Sequence, residues 1–145
     1  ILEKSLGAVA KSGNSPMVDV LDYGEPVKTK GFNFMNSPGY DPVSVTGQVA
    51  SGANIICFTT GRGSCFGFKP TPSIKIATNT NMYKKLEEDM DINAGTIMDN
   101  EKSIEEIGNE IFNKIIAVAS GEKSKSEING YGDDEFNPWI IDPTL

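Results

Sequence analysis

The segment ICFTTGRGSCFG, residues 56–67, combines residue types that bind anions. An apolar run ends there in two threonines, followed by an arginine between two glycines, a serine and a cysteine. Glycine permits a positive φ, expected here at Gly61 and Gly63, so that backbone N–H groups converge, and a guanidinium binds a carboxylate through two parallel hydrogen bonds. We predict a carboxylate or phosphate cradle formed by Thr59, Thr60, Gly61, Arg62, Gly63 and Ser64.

The same spacing also fits a glycine-rich tight turn with a solvated arginine, because it matches neither GxGxxG nor GxxxxGK[ST]. The segment ATNTN, residues 77–81, follows the next predicted strand. Its Asn79 and Asn81 fit two roles, which are to bond the hydroxyls of a polyol or to cap the following helix. Ligands of open α/β sheets lie off the carboxyl ends of strands, where both segments are expected.

Candidate metal ligands are Cys65, in the glycine loop, and Asp41, which follows a strand and also fits an N-cap before Pro42. The acidic run EEDMD, residues 87–91, offers oxygen ligands to a hard cation, although such runs more often form a solvated helix end. Cys57 lies within a strand and is predicted to be a core residue. The chain has no histidine, so the sequence assigns neither catalytic base nor catalytic acid.

The bulk properties of the chain exclude several classes of protein. Its 145 residues suit one domain, and 20 acidic against 13 basic residues give a net charge of -7, which argues against nucleic acid as a partner. Two cysteines form no disulfide framework, and neither a signal peptide nor an apolar run of membrane-spanning length is visible. We therefore expect a cytoplasmic protein that binds neither nucleic acid nor membranes.

The order of predicted elements indicates an α/β fold with a mainly parallel sheet. The best helix is predicted over 101–120, with a capping box at Ser103 and Glu106, an end at Gly121, and an apolar stripe. The stripe consists of Ile104, Ile107, Ile111, Ile115 and Val118. Only about four strands are countable, which is few for a doubly wound domain and suggests a fragment of a larger one.

The remaining elements are predicted from local pattern and turn residues. They are a weak helix at 2–12, a short strand or extended piece near 17–21, a short buried strand with Phe32, Phe34 and Met35, a helix at 42–51 ending before Gly52, a strand ANIICFT buried on both faces, a strand SIKIAT, a helix in TNTNMYKKLEEDM, a short strand or loop in DINAGTIMD, and a polar tail docked through Trp139, Ile140 and Ile141.

Nearly the whole chain resembles the carboxy-terminal part of the altronate and galactarate dehydratase family. The resemblance is carried by PGYDPVSVTGQVASGANIICFTTGRGSCFGFKPTPSIKIATNT, MYKKLEEDMDINAGTI, EKSLGAVAKSGNSPMVDVLDYGE and DDEFNPW. It implies that residues 1–145 form a single α/β domain, the C-terminal fragment of a Rossmann-like three-layer dehydratase domain. It also implies a hydro-lyase that converts hexonic or hexaric acids to 2-keto-3-deoxy sugar acids with a divalent metal, Fe2+ or alternatively Mn2+.

Applied to this sequence, the resemblance implies that Arg62 and the loop amides hold a substrate carboxylate while Thr59, Thr60, Ser64 and Asn79 position hydroxyls. The metal would chelate the carboxylate and the adjacent hydroxyl, so that a base can remove the neighbouring proton and the β-hydroxyl can leave. With no histidine present, the base or metal ligands are expected upstream, and the fragment alone is expected to be inactive. The implied partners are the sugar acid and the remainder of the dehydratase chain or a small subunit, and a homodimer is compatible.

Three other interpretations fit the residues. The first is a small-anion-binding or regulatory α/β module without catalysis, which would bind ligand without turnover. The second is a nucleotide-binding domain, weakened by the absence of a phosphate-binding fingerprint. The third is a subunit-contact piece, because a truncated sheet has an exposed edge. Relatives that act on sulfolactate share the implied architecture, so the fold does not determine the leaving group.

Overall fold

The computed structural model describes residues 2–140, which alternate between helices and parallel strands and so confirm the α/β class. The elements are α1 Leu2–Ala10, β1 Met17–Leu21, β2 Phe32–Met35, α2 Asp41–Ala50, β3 Ile56–Thr60, β4 Ser73–Ala77, α3 Thr80–Lys85, β5 Ile92–Asn93, a 3-10 helix Ala94–Ile97, α4 Ile104–Ala119 and α5 Lys125–Ile128. Among these described residues, no helix is long and apolar enough to cross a membrane.

The strands form two parallel sheets rather than one. β1 pairs with β2, and the second sheet has the order β3-β4-β5. In the second sheet Cys57 pairs with Ile74 and Thr59 with Ile76, so the two strands end at the same edge. β4 lies in the middle and is buried along its whole length, which is typical of a central parallel strand.

Helices cover both faces of the β3-β4-β5 sheet and complete a layered arrangement. On one face, Val45 of α2 packs with Ile56 of β3 and with Phe66 and Phe68 from the segment after the glycine loop. On the other face, α4 packs against β4 and β5. This second cluster consists of Ile74, Ile76, Ile92 and Val118, with Ile55, Ala94, Ile111 and Ile115 packed around it.

The capping box fixes the start of α4. Ser103 Oγ accepts a hydrogen bond from the Glu106 N–H at 3.2 Å, and the Glu106 carboxylate accepts one from the Ser103 N–H at 2.7 Å. The bonds that the Glu106 carboxylate accepts from the N–H and the hydroxyl of Ser103 lower its pKa. The helix therefore begins at Ile104 and not at 101, and Gly121 follows its end with a φ of 105°. Ile104 has the spacing of the predicted apolar stripe but is 76% exposed in the first turn, so it does not contribute to the core.

Two predictions of burial are wrong because they concern strands at the edges of sheets. β3 was expected to be buried on both faces, but it is the edge strand of its sheet, and Cys57 is exposed rather than part of the core. Phe34 of β2 is likewise 52% exposed. A central strand and an edge strand can have similar apolar composition. The local sequence therefore does not show that a strand lacks a neighbour on one side.

The ends of α2 and the docking of the tail agree only in part with the predictions. α2 begins at Asp41, and its N-cap is Tyr40 without a side-chain cap bond, so the predicted N-cap role of Asp41 is wrong. Gly52 follows the helix with a φ of 115°, as expected. The tail docks through Trp139, whose ring packs edge-on against Tyr23 at 5.6 Å. Ile140 is exposed, and Ile141 lies outside the described residues.

Candidate functional site

The carboxyl ends of β3 and β4 bring the glycine loop and the ATNTN segment together. The N–H of Thr78 donates to the Thr60 carbonyl at 3.0 Å, and Thr78 Oγ1 donates to the same oxygen at 3.3 Å. A Cβ built on Gly61 would lie 3.3 Å from Thr78 Oγ1. The two polar segments singled out from the sequence therefore lie side by side at one edge of the sheet, where α/β folds bind ligands.

The side chain of Thr60 closes the glycine loop on itself. Its Oγ1 accepts hydrogen bonds from the N–H groups of Gly63 at 3.1 Å and of Arg62 at 3.4 Å. These two amides are consequently turned inward and engaged within the loop. The chain reverses at Gly63, where φ is 97°, whereas Gly61 is not in the positive-φ region, so the prediction for Gly61 is wrong.

Gly63 is also held by packing against α3. A Cβ built there would overlap Leu86 Cδ1 and would lie 3.6 Å from the sulfur of Met82. The absence of a side chain thus allows the loop backbone to sit directly on the helix that follows ATNTN. The loop therefore packs against its neighbours along its backbone as well as through side chains.

Arg62 projects from this fixed loop as an exposed side chain and is the only arginine of the chain. Its guanidinium makes no hydrogen bond or ion pair to any residue within 2–140. Thr59 is exposed as well, while Ser64 Oγ accepts a hydrogen bond from the Phe66 N–H at 3.0 Å and keeps its own proton for a ligand. The loop therefore presents a full set of guanidinium donors and two hydroxyl groups on a rigid base.

Asn79 is the N-cap of α3. Its side-chain oxygen accepts a hydrogen bond from the Met82 N–H at 3.1 Å, which confirms that one of the two asparagines caps this helix. Asn81 is exposed in the first turn of the same helix. The polyol-binding role of Asn79 stays a prediction, and only its amide nitrogen is left for it.

A polar hollow of about 290 Å³ opens beside the loop. It is lined by Thr78, Asn79, Thr80, Asn81, Gly95, Met98 and Asp99. A Cβ built on Gly95 would overlap the backbone of Thr80, so the segment after β5 approaches α3 closely. Asp99 was missed from the sequence because pairing of β5 with β4 carries it back to this edge. Hydroxyl, amide and carboxylate groups around one hollow suit a ligand rich in hydroxyls.

A fully buried lysine, Lys75, lies in the central strand β4. It was not singled out from the sequence. Lys75 Nζ is 3.9 Å from Asp89 Oδ1 and 5.3 Å from the centre of the Tyr131 ring, and no hydrogen-bond partner is found for it in the described chain. Burial lowers the pKa of Lys75, and the charges of Asp89 and Asp91 oppose that shift in part. The apolar neighbours of Lys75 in the strand SIKIA made this segment resemble an ordinary buried strand.

Two carboxylates of the acidic run at 87–91 lie near this lysine, so the run is only partly a solvated helix end. The side chain of Asp91 is buried, and its carboxylate accepts hydrogen bonds from the N–H groups of Lys75 at 2.8 Å and Lys125 at 3.0 Å. Glu87 and Glu88 are exposed. Asp91 thus joins β4 to the first residue of α5, and Asp89 and Asp91 balance buried positive charge.

The residues described here do not form a metal site by themselves. Within 2–140, no group of three or more histidine, cysteine, aspartate or glutamate side chains could hold an ion. The two candidates, Cys65 in the glycine loop and Asp41 in the first turn of α2, are both exposed. A divalent metal needs more ligands than this part of the chain supplies.

Comparison with known proteins places the geometry in a family context. The family profile described as D-galactarate/Altronate dehydratase, C-terminal, matches residues 1–144. The chain is 46% identical over 123 residues to galactarate dehydratase (L-threo-forming) of Escherichia coli K12, covering 85% of this chain and 24% of that protein. It is 42% identical over 130 residues to altronate dehydratase of Bacillus subtilis 168, covering 89% and 26%. The chain therefore spans about a quarter of the length of these relatives.

A third relative carries a different name. The beta subunit of (2R)-sulfolactate sulfo-lyase from Chromohalobacter salexigens is 30% identical over 132 residues, which cover 90% of this chain and 34% of that subunit. Its name describes the removal of a sulfur-containing group, whereas the two dehydratases are named for the removal of water.

Proposed function

Because the chain belongs to the galactarate and altronate dehydratase C-terminal family, we propose that it is the carboxylate-binding part of a sugar-acid hydro-lyase. The substrate class is a hexonic or hexaric acid such as altronate or galactarate, and the product is a 2-keto-3-deoxy sugar acid. We also propose a cytoplasmic location, in keeping with two cysteines that are both unpaired. The chain acts together with the rest of a longer dehydratase polypeptide.

The single observation that carries the proposal is the position of Arg62. An exposed guanidinium without a partner in the described chain stands on a loop at the carboxyl edge of a parallel sheet, and Thr60 at the start of that loop bonds Thr78, which lines the polar hollow. A sugar acid has a matching shape, with a carboxylate at one end and a chain of hydroxyls behind it. The carboxylate binds Arg62 through two parallel hydrogen bonds, and the hydroxyls bind in the hollow beside Thr78 and Asp99.

In the proposed reaction, this chain stabilises the negative charge that develops on the substrate. Dehydration breaks the C–H bond next to the carboxylate and the C–O bond of the β-hydroxyl, so that water leaves and the resulting enol rearranges to a ketone. Loss of the proton delocalises charge onto the carboxylate oxygens, where Arg62 holds it in a fixed geometry. Thr59 and Ser64 orient the hydroxyl groups of the substrate.

The remaining catalytic groups are proposed to lie outside residues 2–140. Fe2+ or alternatively Mn2+ would act as a Lewis acid on the substrate oxygens, but the described residues do not supply its ligands. The absence of histidine from the whole sequence also leaves the base and the acid unassigned. The 145-residue chain is accordingly expected to be inactive without its longer context.

The test is an anaerobic assay of the complete gene product with Fe2+ and, in turn, galactarate and altronate, following formation of the 2-keto product. Turnover of either acid by the complete protein, and none by the 145-residue chain, is the expected result. Binding without product would favour the small-anion-binding module instead. Failure of the complete protein with both acids, and with other hexonic and hexaric acids, would overturn the dehydratase proposal.

A further inference from the structure

The two sheets are separated by an open cavity of about 610 Å³. One wall is formed by Phe32, Asn33, Phe34 and Met35, which are the whole of β2, and the other contains Ile56 and Cys57 of β3. We call this cavity the inter-sheet slot. Its position between two strands distinguishes it from the polar hollow near Arg62, with which it shares no lining residue.

Both walls of the inter-sheet slot are strand edges without a partner in the described chain. β2 pairs only with β1, and β3 pairs only with β4, so each has one edge left open within residues 2–140. An open edge presents a row of backbone N–H and C=O groups that can pair with a further strand. The slot is therefore bordered on two sides by groups suited to β-pairing.

One atom of a side chain that lines the slot, the amide oxygen of Asn33, also lacks a hydrogen-bond partner in the described chain. Asn33 donates through its amide nitrogen to the carbonyls of Thr29 at 3.0 Å and Gly31 at 2.9 Å. Its amide oxygen is buried but has no hydrogen-bond partner in the described chain. Buried acceptors are normally satisfied, so β2 lacks a hydrogen-bond donor at this position within the described chain.

The lining gives the chemistry of the occupant. None of the residues that border the slot is charged, and most are apolar. Phe34 is 52% exposed there, and Cys57 is exposed as well. A sugar acid or a metal ion finds no counter-charge in such a place, whereas an apolar strand of a parallel sheet buries both of its faces.

We propose that the inter-sheet slot receives an apolar β-strand from the part of the dehydratase polypeptide that lies outside this chain. The relatives supply the length for it, since this chain covers only 24% and 26% of the two dehydratases. Insertion of one strand between β2 and β3 joins the two parallel sheets into a single one. The proposal rests on the strand edges and does not depend on the chemistry at Arg62, so the two can fail separately.

Hydrogen exchange followed by mass spectrometry tests the proposal on the 145-residue chain and on the complete gene product. We expect the open-edge amides of 32–35 and 56–60 to exchange at least about a hundredfold more slowly in the complete protein. The amides of β4, residues 73–77, serve as the control and are protected in both. Equal exchange in the two proteins overturns the proposal. A gene product no longer than this chain has no further strand to insert and overturns it as well. Protection that rises with concentration in the chain alone points to a second copy and also overturns it.

A pair of variants separates pairing at the slot from general stability. Phe34 and Val20 are register partners in β2 and β1, with exposures of 52% and 59%, and only Phe34 lines the slot. Phe34→Lys is expected to remove the added protection in the complete protein while β4 stays protected. Val20→Lys is expected to leave that protection in place. The reverse pattern, or no difference between the variants, would contradict the inserted strand.

Discussion

At the scale of single residues, the glycine loop shows that neighbouring glycines have different tasks. Gly63 takes a φ of 97° and packs on Leu86, while Gly61 has no positive φ and faces only Thr78 Oγ1. The sequence predicted the loop and its place at the end of a strand, because both are locally encoded. It did not predict that Thr60 would engage the loop amides, since that depends on how the turn closes.

Substitution of the two glycines separates these tasks. Gly63→Ala is expected to lower the free energy of unfolding by about 1–3 kcal/mol, because alanine is strained at this φ. Gly61→Ala is expected to change it by less than about 0.5 kcal/mol, since its backbone suits any residue. Urea denaturation of both variants provides the comparison. Equal losses would show that the turn does not depend on the conformation of Gly63.

Lys75 makes the stability of the chain depend on pH. Burial lowers its pKa from the ordinary value of 10.5, so between the two values the unfolded chain binds more protons than the folded chain. The contribution of Lys75 to stability therefore rises as the pH increases through this window. Lys75→Met is expected to abolish that rise, whereas Lys123→Met, at an exposed site, is expected to retain it. Urea denaturation at about pH 8 and about pH 10 measures the difference; an unchanged pH dependence in Lys75→Met would contradict it.

At the scale of secondary structure, local signals predicted elements but not their neighbours. The strand at Met17–Leu21 and the capping box of α4 were found because the flanking turn residues and the Ser103 and Glu106 pair are all local. The short helix α5, Lys125–Ile128, was missed in a polar tail, although Ser124 and Glu127 repeat the same capping box. The exposure of Cys57 could not be predicted, because it depends on which strand occupies the edge of the sheet.

The capping box gives a prediction at this scale. Ser103→Ala removes the acceptor for the Glu106 N–H and is expected to lower the free energy of unfolding by about 1 kcal/mol. Asn109→Ala changes an exposed position in the middle of α4 and is expected to be neutral or stabilising by a few tenths of a kcal/mol. Thermal denaturation followed by circular dichroism compares them. A loss in Asn109→Ala as large as that in Ser103→Ala would show that capping does not set the stability of α4.

At the scale of the whole molecule, the tail is joined to the body through Tyr23. Its hydroxyl donates to the Val43 carbonyl at 2.7 Å and accepts a hydrogen bond from the backbone N–H of Trp139 at 3.2 Å. Its ring lies against Gly47 of α2, where a Cβ would overlap three ring carbons. One tyrosine thus connects the first sheet region, α2 and the tail, over a sequence separation that no local pattern reveals.

This arrangement predicts opposite effects for two helical glycines. Gly47→Ala is expected to cost about 1–3 kcal/mol and to shift the fluorescence of Trp139, because the Tyr23 ring must move. Gly108→Ala in α4 meets nothing within 4 Å and is expected to stabilise the chain by up to about 1 kcal/mol. Trp139 is the only tryptophan, so its emission reports the tail directly. An unchanged emission spectrum in Gly47→Ala would contradict the role of Tyr23.

The most direct test of the central claim is the affinity of the complete gene product for galactarate, measured by equilibrium dialysis for the wild type and three variants. Arg62→Ala is expected to weaken binding roughly tenfold to a hundredfold, the value of a charged two-pronged hydrogen bond. Arg62→Lys keeps the charge without the planar fork and is expected to fall between. Lys69→Ala removes an exposed cation that pairs with Asp133 and is expected to bind like the wild type. Wild-type affinity in Arg62→Ala would contradict the claim that this loop holds the substrate carboxylate.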